Sequence, residues 1–352
     1  MLLSGHSGNR TPDRKRNMNY SSRLELYKQI EQERETKVLT YVTSDRANME
    51  TVIGNDCIDL FVDLLDRIGP TNRISLILHT NGGHTLTAWR LINLISMFCD
   101  ELEVIVPSKA LSAGTLMSIG ADKIVMTKQA ILGPIDPSLS NPLNPQVDIG
   151  GQSKQVPVSV ESVLGYLSHA REELRIEDEN NLTAVLLNLS SHIHPLVLGE
   201  IFRSREQIRF LARKLLPRQV KDKEKVESIV QFLCGDSGSH DYTIDRREAA
   251  ELGLNIEKPT TEFYELLRNV HLSFSEELQL LKPFTLQGVL AESQENMRPY
   301  CIPRGLVEGS VGGCYRFVSE GIVTRVQVDT GAGVPQEGIG DQRSFEGWVK
   351  AI

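Results

Sequence analysis

The 352-residue sequence predicts an α/β fold, a parallel sheet assembled from repeated strand–helix units with helical elaboration and a small β-rich C-terminal appendage. Three observations carry this. Short apolar runs at Arg73–His79, Glu101–Pro107 and Lys123–Thr127 alternate with stretches of helical periodicity, and strands separated by helices pair in parallel through right-handed crossovers. Helical patterns then fill residues 159–234. After about residue 275 the character changes to Gly/Val-rich alternation around Tyr315–Val328, flanked by Gly312-Gly313 and Gly331-Ala332-Gly333, which predicts hairpins.

The elements follow in order. Leu24, Leu26 and Ile30, spaced among charged residues, place an amphipathic helix over 20–35, and Lys37–Val42 reads as a strand. Cys57, Phe61, Leu64, Leu65 and Ile68 share one helical face, and Gly69-Pro70 stops that helix. Further helices are expected near 84–98 and from about Ser112; in the first, Trp89, Leu91, Leu94 and Ile95 form the core side. The Pro-, Gly- and Asn-rich stretch 139–157 reads as a long loop, of the kind that serves as a lid or binding segment. Helices resume at about 159–175, 179–190, 199–216 and 222–234. Asp245 as N-cap, Glu248 at the capping-box position and Gly253 as stop define one more, before a short strand at Leu254–Ile256.

Composition narrows the function. With 24% charged and 40% apolar residues the chain is ordinary globular protein, and a net charge of −8 without a basic stripe argues against nucleic acid as a partner. No apolar run reaches the roughly 18–20 residues of a membrane span; the best, Leu91–Phe98, contains Asn93 and Ser96. Five cysteines, odd in number and without a C-x-x-C pair, argue against disulfides and zinc knuckles and for a cytoplasmic location. His192 and His194 lack a third ligand at zinc-like spacing, and G-x-G-x-x-G is absent, so neither metal nor cofactor is expected. Residues 1–17 lack the apolar core of a signal peptide, and Met18 is a good alternative start; they are set aside as a disordered or non-native leader.

The chemistry lies between Ile74 and Pro137, where two strands each run into a glycine-bearing turn and then a helix. The first turn is His79-Thr80-Asn81-Gly82-Gly83; the second is Ala110-Leu111-Ser112-Ala113-Gly114. A Gly-Gly turn leaves backbone N–H groups bare of side chains, which suits an oxyanion, and a serine at the next turn is a candidate nucleophile for acyl transfer. Taken singly, Gly82-Gly83 is also a tight turn and Ser112 also a helix N-cap.

Ile77–Gly83, Val106–Asp122 and Ile131–Pro137, with His240–Asp245 and Glu248–Leu254 closing the domain, resemble the serine dehydrogenase proteinases. These are related to the signal-peptide-peptidase-A-like and Clp-protease-like serine peptidases of the crotonase-type fold. The resemblance covers roughly residues 25–270 and implies a peptidase domain over 18–272, leaving 273–352 as the appendage. It implies Ser112 as nucleophile, Gly82, Gly83 and the N–H of Ala113 as oxyanion hole, and Asp241 as the residue that orients the base. Where Clp-type enzymes carry the catalytic histidine this chain has Gly133-Pro134-Ile135-Asp136, so the base is sought elsewhere. His240 beside Asp241 is one candidate and Lys154, by the dyad logic of the signal-peptide-peptidase-A-like relatives, is another. Lys109 and Lys128 are expected to face solvent, whereas His79 and His84 flank the turn, where contact with substrate and ordinary packing at a turn account for them equally well. The expected reaction is peptide hydrolysis through an acyl-enzyme on a protein or peptide substrate. The rival readings are a degenerate peptidase acting as scaffold or peptide binder, and an acyl-CoA enzyme of the same fold. The apolar surplus of the helices over 159–234 predicts a homo-oligomer.

Overall fold

The computed structural model describes residues 19–135, 138–139, 142–149, 152–156, 158–236, 241–291, 296–328 and 336–351. The leader 1–17, His240 and Gly331–Gly333 lie outside the described residues. Helix α1 (Tyr20–Arg34) leads into β1 (Lys37–Thr43), followed by α2 (Ile58–Ile68), β2 (Thr71–His79), α3 (Thr85–Ser96) and β3 (Cys99–Val106). Then come β4 (Lys109–Ala110), α4 (Ala113–Ile119), β5 (Lys123–Met126) and β6 (Ile131–Leu132). The expected long loop carries short strands β7 (Ser138–Leu139), β8 (Gln146–Ile149), β9 (Gln152–Gln155) and β10 (Val158–Ser159). A helical section follows: α5 (Val160–Ser168), α6 (Glu179–His192), α7 (Pro195–Leu215) and α8 (Lys223–Gln231). The chain closes with β11 (Ile244–Asp245), α9 (Arg246–Leu252), β12 (Ile256–Glu257), α10 (Thr261–Glu277), α11 (Leu286–Ala291), β13 (Met297–Gly309), β14 (Gly313–Val328) and β15 (Gln336–Lys350).

One eight-stranded sheet, in the order β12-β5-β3-β2-β1-β13-β14-β15, organises the chain. Its first five strands are parallel, as the strand–helix alternation predicts. Both faces of this half are covered, so the strands read as nearly continuous apolar runs. Leu39, Leu76, Leu78 and Val104 pack with the core that includes Phe61, Leu91, Leu116 and Leu215 on one face. Val38, Val42, Ile77 and Ile105 pack with Tyr27, Ile30, Phe263 and Leu267 of α1 and α10 on the other. Asp245 caps α9 through the Arg247 and Glu248 N–H groups, and Gly253 ends it at φ 97°.

The β-rich character expected of residues 273–352 takes the form of three long strands, which continue the core sheet: β13 pairs antiparallel with β1, from Leu39↔Gly309 to Thr43↔Gly305. Position 272 falls inside α10. A buried polar knot fastens this half to the rest. Arg23 of α1, fully buried, donates from Nε to Glu308 Oε2 at 2.9 Å and from Nη1 to Ser273 Oγ at 3.1 Å, and Tyr27 Oη donates to the same carboxylate at 2.7 Å. Buried charges persist only when paired and hydrogen-bonded in this way. Among the described residues no single helix is long and apolar enough to cross a membrane.

Candidate active site

Ser112 closes the β4 turn with φ 50° and ψ −113°, a region that L-residues rarely occupy. Its side chain makes no capping bond to α4, so the N-cap reading does not account for it. The surroundings impose the conformation. Thr80 N–H donates to Lys109 O (3.2 Å), Leu111 N–H to Thr80 O (3.0 Å) and Gly114 N–H to Leu111 O (2.8 Å), pinning both sides of the turn. Thr115 Oγ1 lies 2.8 Å from the carbonyl oxygens of Ala110 and Gly133 and accepts from Gly133 N–H at 3.0 Å, tying the turn to the segment after β6.

The glycine turn abuts this serine. Gly82 has φ 116°, and a Cβ there would lie 2.9 Å from Ser112 Cβ and 3.0 Å from Leu111 O. Gly83 has φ 148°, and a Cβ there would lie 2.4 Å from Ile53 N. The Gly82 N–H donates to Thr80 Oγ1 at 2.9 Å, while its carbonyl accepts from Ile53 N–H at 2.8 Å. Among the described residues, the N–H groups of Gly83 and Ala113 have no protein acceptor. They are the open donors beside Ser112; Gly82 supplies the close approach.

A cavity of about 310 Å³ opens here, lined by Asn81, Ser112, Gly133, Pro134 and Asp241 among others. Asp241, remote in sequence, arrives because β11 pairs antiparallel with β6, Ile244↔Leu132 and Asp245↔Ile131, and β6 pairs with β4. Ser112, Gly82, Gly83, Ala113 and Asp241 therefore share one neighbourhood. Lys154 stands exposed on the β8–β9 hairpin opposite Val147 and is not among the described lining residues. Lys128 is exposed, stacked 4.4 Å from the Tyr264 ring centroid.

The expectation for Lys109 changes, and of the two readings of His79 the packed one describes its position. Lys109 is ion-paired with Asp45 rather than facing solvent, and His79 is buried against α10, 5.4 Å from the Phe274 ring, rather than facing the cavity. Both side chains alternate away from Ser112 because they precede, by one strand position, residues that point toward α4. His79 Nε2 stands 3.6 Å from Asp45 Oδ1, beyond hydrogen-bond range, and its ring lies 5.6 Å from that of His271. Burial pushes the Asp45 carboxyl up, but His79 and Lys109 outweigh it and hold the group well below the usual range. This cluster underlies the ends of β1, β2 and β4, which carry both turns. Nothing in the sequence periodicity marks Asp45 or His271.

Burial, reinforced by His79, lowers the His271 pKa from 6.5 to about 4. A depressed histidine pKa contributes stability above the unfolded value that is lost as the pH falls toward the folded one. His271 faces His79, Asp45 and Lys109, and only the acid side of its titration is affected. Between pH 6.5 and 4 the protein is expected to lose about 2–3 kcal/mol through this group, discounted for partial exposure. Denaturant titrations across that window should show the loss in the wild type and a flatter profile in His271→Phe; superimposable profiles would refute it.

A parallel-sheet core with a strained serine at a strand-to-helix turn, closed by antiparallel C-terminal strands, defines the ClpP/crotonase-like class of α/β folds. Residues 10–155 match the model of the ClpP-like SDH-type serine proteinases. Two uncharacterized proteins of Methanocaldococcus jannaschii are similar to it. MJ0137 is 30% identical over 200 residues, 56% of this chain and 58% of that protein. MJ1495 is 27% identical over 255 residues, 70% of this chain and 75% of that protein. The chain thus spans less than two thirds of the first of these relatives. Among solved structures, a variant of the 1510-N membrane-bound stomatin-specific protease aligns at 14% identity, covering 66% of this chain and 85% of its own, with a TM-score of 0.36. ClpP1 from Listeria monocytogenes aligns at 12% identity over 69% of this chain and 97% of its own, with a TM-score of 0.33.

Proposed function

We propose that the chain is a serine endopeptidase that hydrolyses peptide bonds through an acyl-enzyme on Ser112. The backbone of Ser112 at φ 50°, ψ −113°, pressed against the Gly82 turn, carries this reading. Such a conformation is costly and persists where the surrounding structure over-determines it. In the proposed reaction Ser112 Oγ attacks the scissile carbonyl carbon, and its proton passes to a base and on to the leaving amine. The Gly83 and Ala113 N–H groups receive the developing oxyanion. Water then cleaves the ester and regenerates the serine. Asp241 in the same cavity orients the base, for which His240 is the first candidate and Lys154 the second.

One observation favours a rival. No histidine or lysine is among the described lining residues, as a degenerate peptide binder or a thioester-polarising site would also have it. Covalent labelling of Ser112 by a fluorophosphonate separates the readings, since the rivals need no activated serine. An odd number of cysteines without a C-x-x-C pair supports a cytoplasmic location. Leu187, Leu196, Phe202 and Phe210 on α6 and α7 are 66, 67, 65 and 55% exposed, which supports a homo-oligomer. Light scattering is expected to give a multiple of 39.3 kDa, and a purely monomeric, fully active protein would overturn that assignment.

A further inference from the structure

A second cavity, of about 510 Å³, lies between Arg46, the 282–285 segment and the start of β13. None of its lining residues is shared with the cavity at Ser112. Three hydrogen bonds join the two segments: Arg46 Nε donates to Lys282 O (2.7 Å), Phe284 N–H to Ala47 O (3.0 Å) and Asn48 Nδ2 to Phe284 O (2.9 Å). They hold Arg46 only 8% exposed, its guanidinium 5.7 Å from the Phe284 ring centroid.

Among the described residues, Arg46 lacks a compensating acid. Lys282 lines the cavity beside Arg46, whereas the carboxylate described in the lining, Glu277, is engaged by Arg23 at 2.7 Å and Arg316 at 2.6 Å. Burial lowers the Arg46 pKa with no acid opposing it. A desolvated guanidinium without an anion is costly, and its planar pair of Nη groups matches the two oxygens of a carboxylate or phosphate.

We propose that this cavity binds a small oxyanion-bearing ligand, a phosphate or a carboxylate, held by Arg46 with Lys282 adding charge beside it. The site is independent of the chemistry at Ser112 and survives the failure of that reading.

The test is thermal unfolding and calorimetric titration of the full chain with inorganic pyrophosphate and with citrate, against potassium chloride at matched ionic strength. A saturable rise in Tm of about 2–4 °C is expected with one or both anions in the wild type and in Ser112→Ala. A response to pyrophosphate alone assigns a phosphate ligand; a response to citrate alone assigns a carboxylate. Arg46→Met is expected to abolish the anion-induced shift whatever its anion-free Tm, which also reflects the lost bond to Lys282 O; a merely structural arginine would leave the anion-induced shift in place. Lys282→Ala, which keeps the carbonyl that Arg46 bonds, is expected to weaken anion binding several-fold. Equal shifts in the wild type and Arg46→Met, or none beyond the chloride control, overturn the proposal. If Arg46→Met does not fold, unchanged anion affinity in Lys282→Ala overturns it.

Discussion

Ser112→Ala is expected to abolish fluorophosphonate labelling and to lower peptide turnover by roughly four orders of magnitude or more, with the fold intact. The fold survives because the hydroxyl makes no capping bond, and the turn is held by backbone bonds from Thr80, Leu111 and Gly114. Alanine keeps the Cβ, so the strained conformation is neither relieved nor worsened. Labelling that persists in a folded Ser112→Ala protein rejects the nucleophile. The base is tested alongside it. With His240 as base, the rate should carry an acid limb near pH 6–7, and His240→Ala and Asp241→Asn should each lower turnover at least about tenfold. With Lys154 as base, the limb lies at higher pH and Lys154→Ala produces the loss. If none of these three variants is impaired about tenfold, both base assignments fail.

Gly82→Ala and Gly83→Ala are expected to fail differently. At Gly82 the added Cβ meets Ser112 Cβ at 2.9 Å and Leu111 O at 3.0 Å, at φ 116°. The two turns must part, which moves the Gly83 donor away from the site where the oxyanion forms. A displaced oxyanion donor costs about 10²–10³-fold in kcat, so Gly82→Ala should remain folded with kcat reduced on that scale. At Gly83 the Cβ meets the backbone of Ile53, at 2.4 Å from N and 2.6 Å from O. Backbone cannot rotate aside, and the Ile53–Gly83 bridge that anchors the turn is lost with it. Gly83→Ala should therefore lose stability first, seen as a lower denaturation midpoint. Near wild-type kcat in Gly82→Ala, or an unchanged midpoint in Gly83→Ala, would count against this geometry.

Much of the site is legible because its requirements are local. Gly82, Gly83 and Ser112 each adopt a positive φ, and two adjacent strand–turn–helix units announce where that happens. The capped helix from Arg246 to Leu252 is legible for the same reason: Asp245 and Gly253 satisfy chain ends within a few residues. Asp241 was reachable only through resemblance, since the pairing of β11 with β6 that delivers it spans more than a hundred residues. Strand parity, not composition, sends the side chains of His79 and Lys109 to the α10 side, so their partners are not legible from the residues of the turns. Thr80, whose hydroxyl takes the Gly82 N–H, was visible only as a member of the turn.

The sequence alone determined the alternation of strands and helices, the parallel half of the sheet, the two glycine-bearing turns and the β character of the C-terminal residues, because periodicity and backbone conformation are set over short spans. Tertiary structure alone decided that β13 joins β1, that Glu308 meets Arg23 and Tyr27, and that Asp45 gathers His79 and Lys109 beneath the turns. It also left Arg46 buried without an acid among the described residues. Strand partners and buried charge pairs are chosen by which surfaces meet when the sheet closes, and many partners of equal local propensity are available to an edge strand or a lone charge.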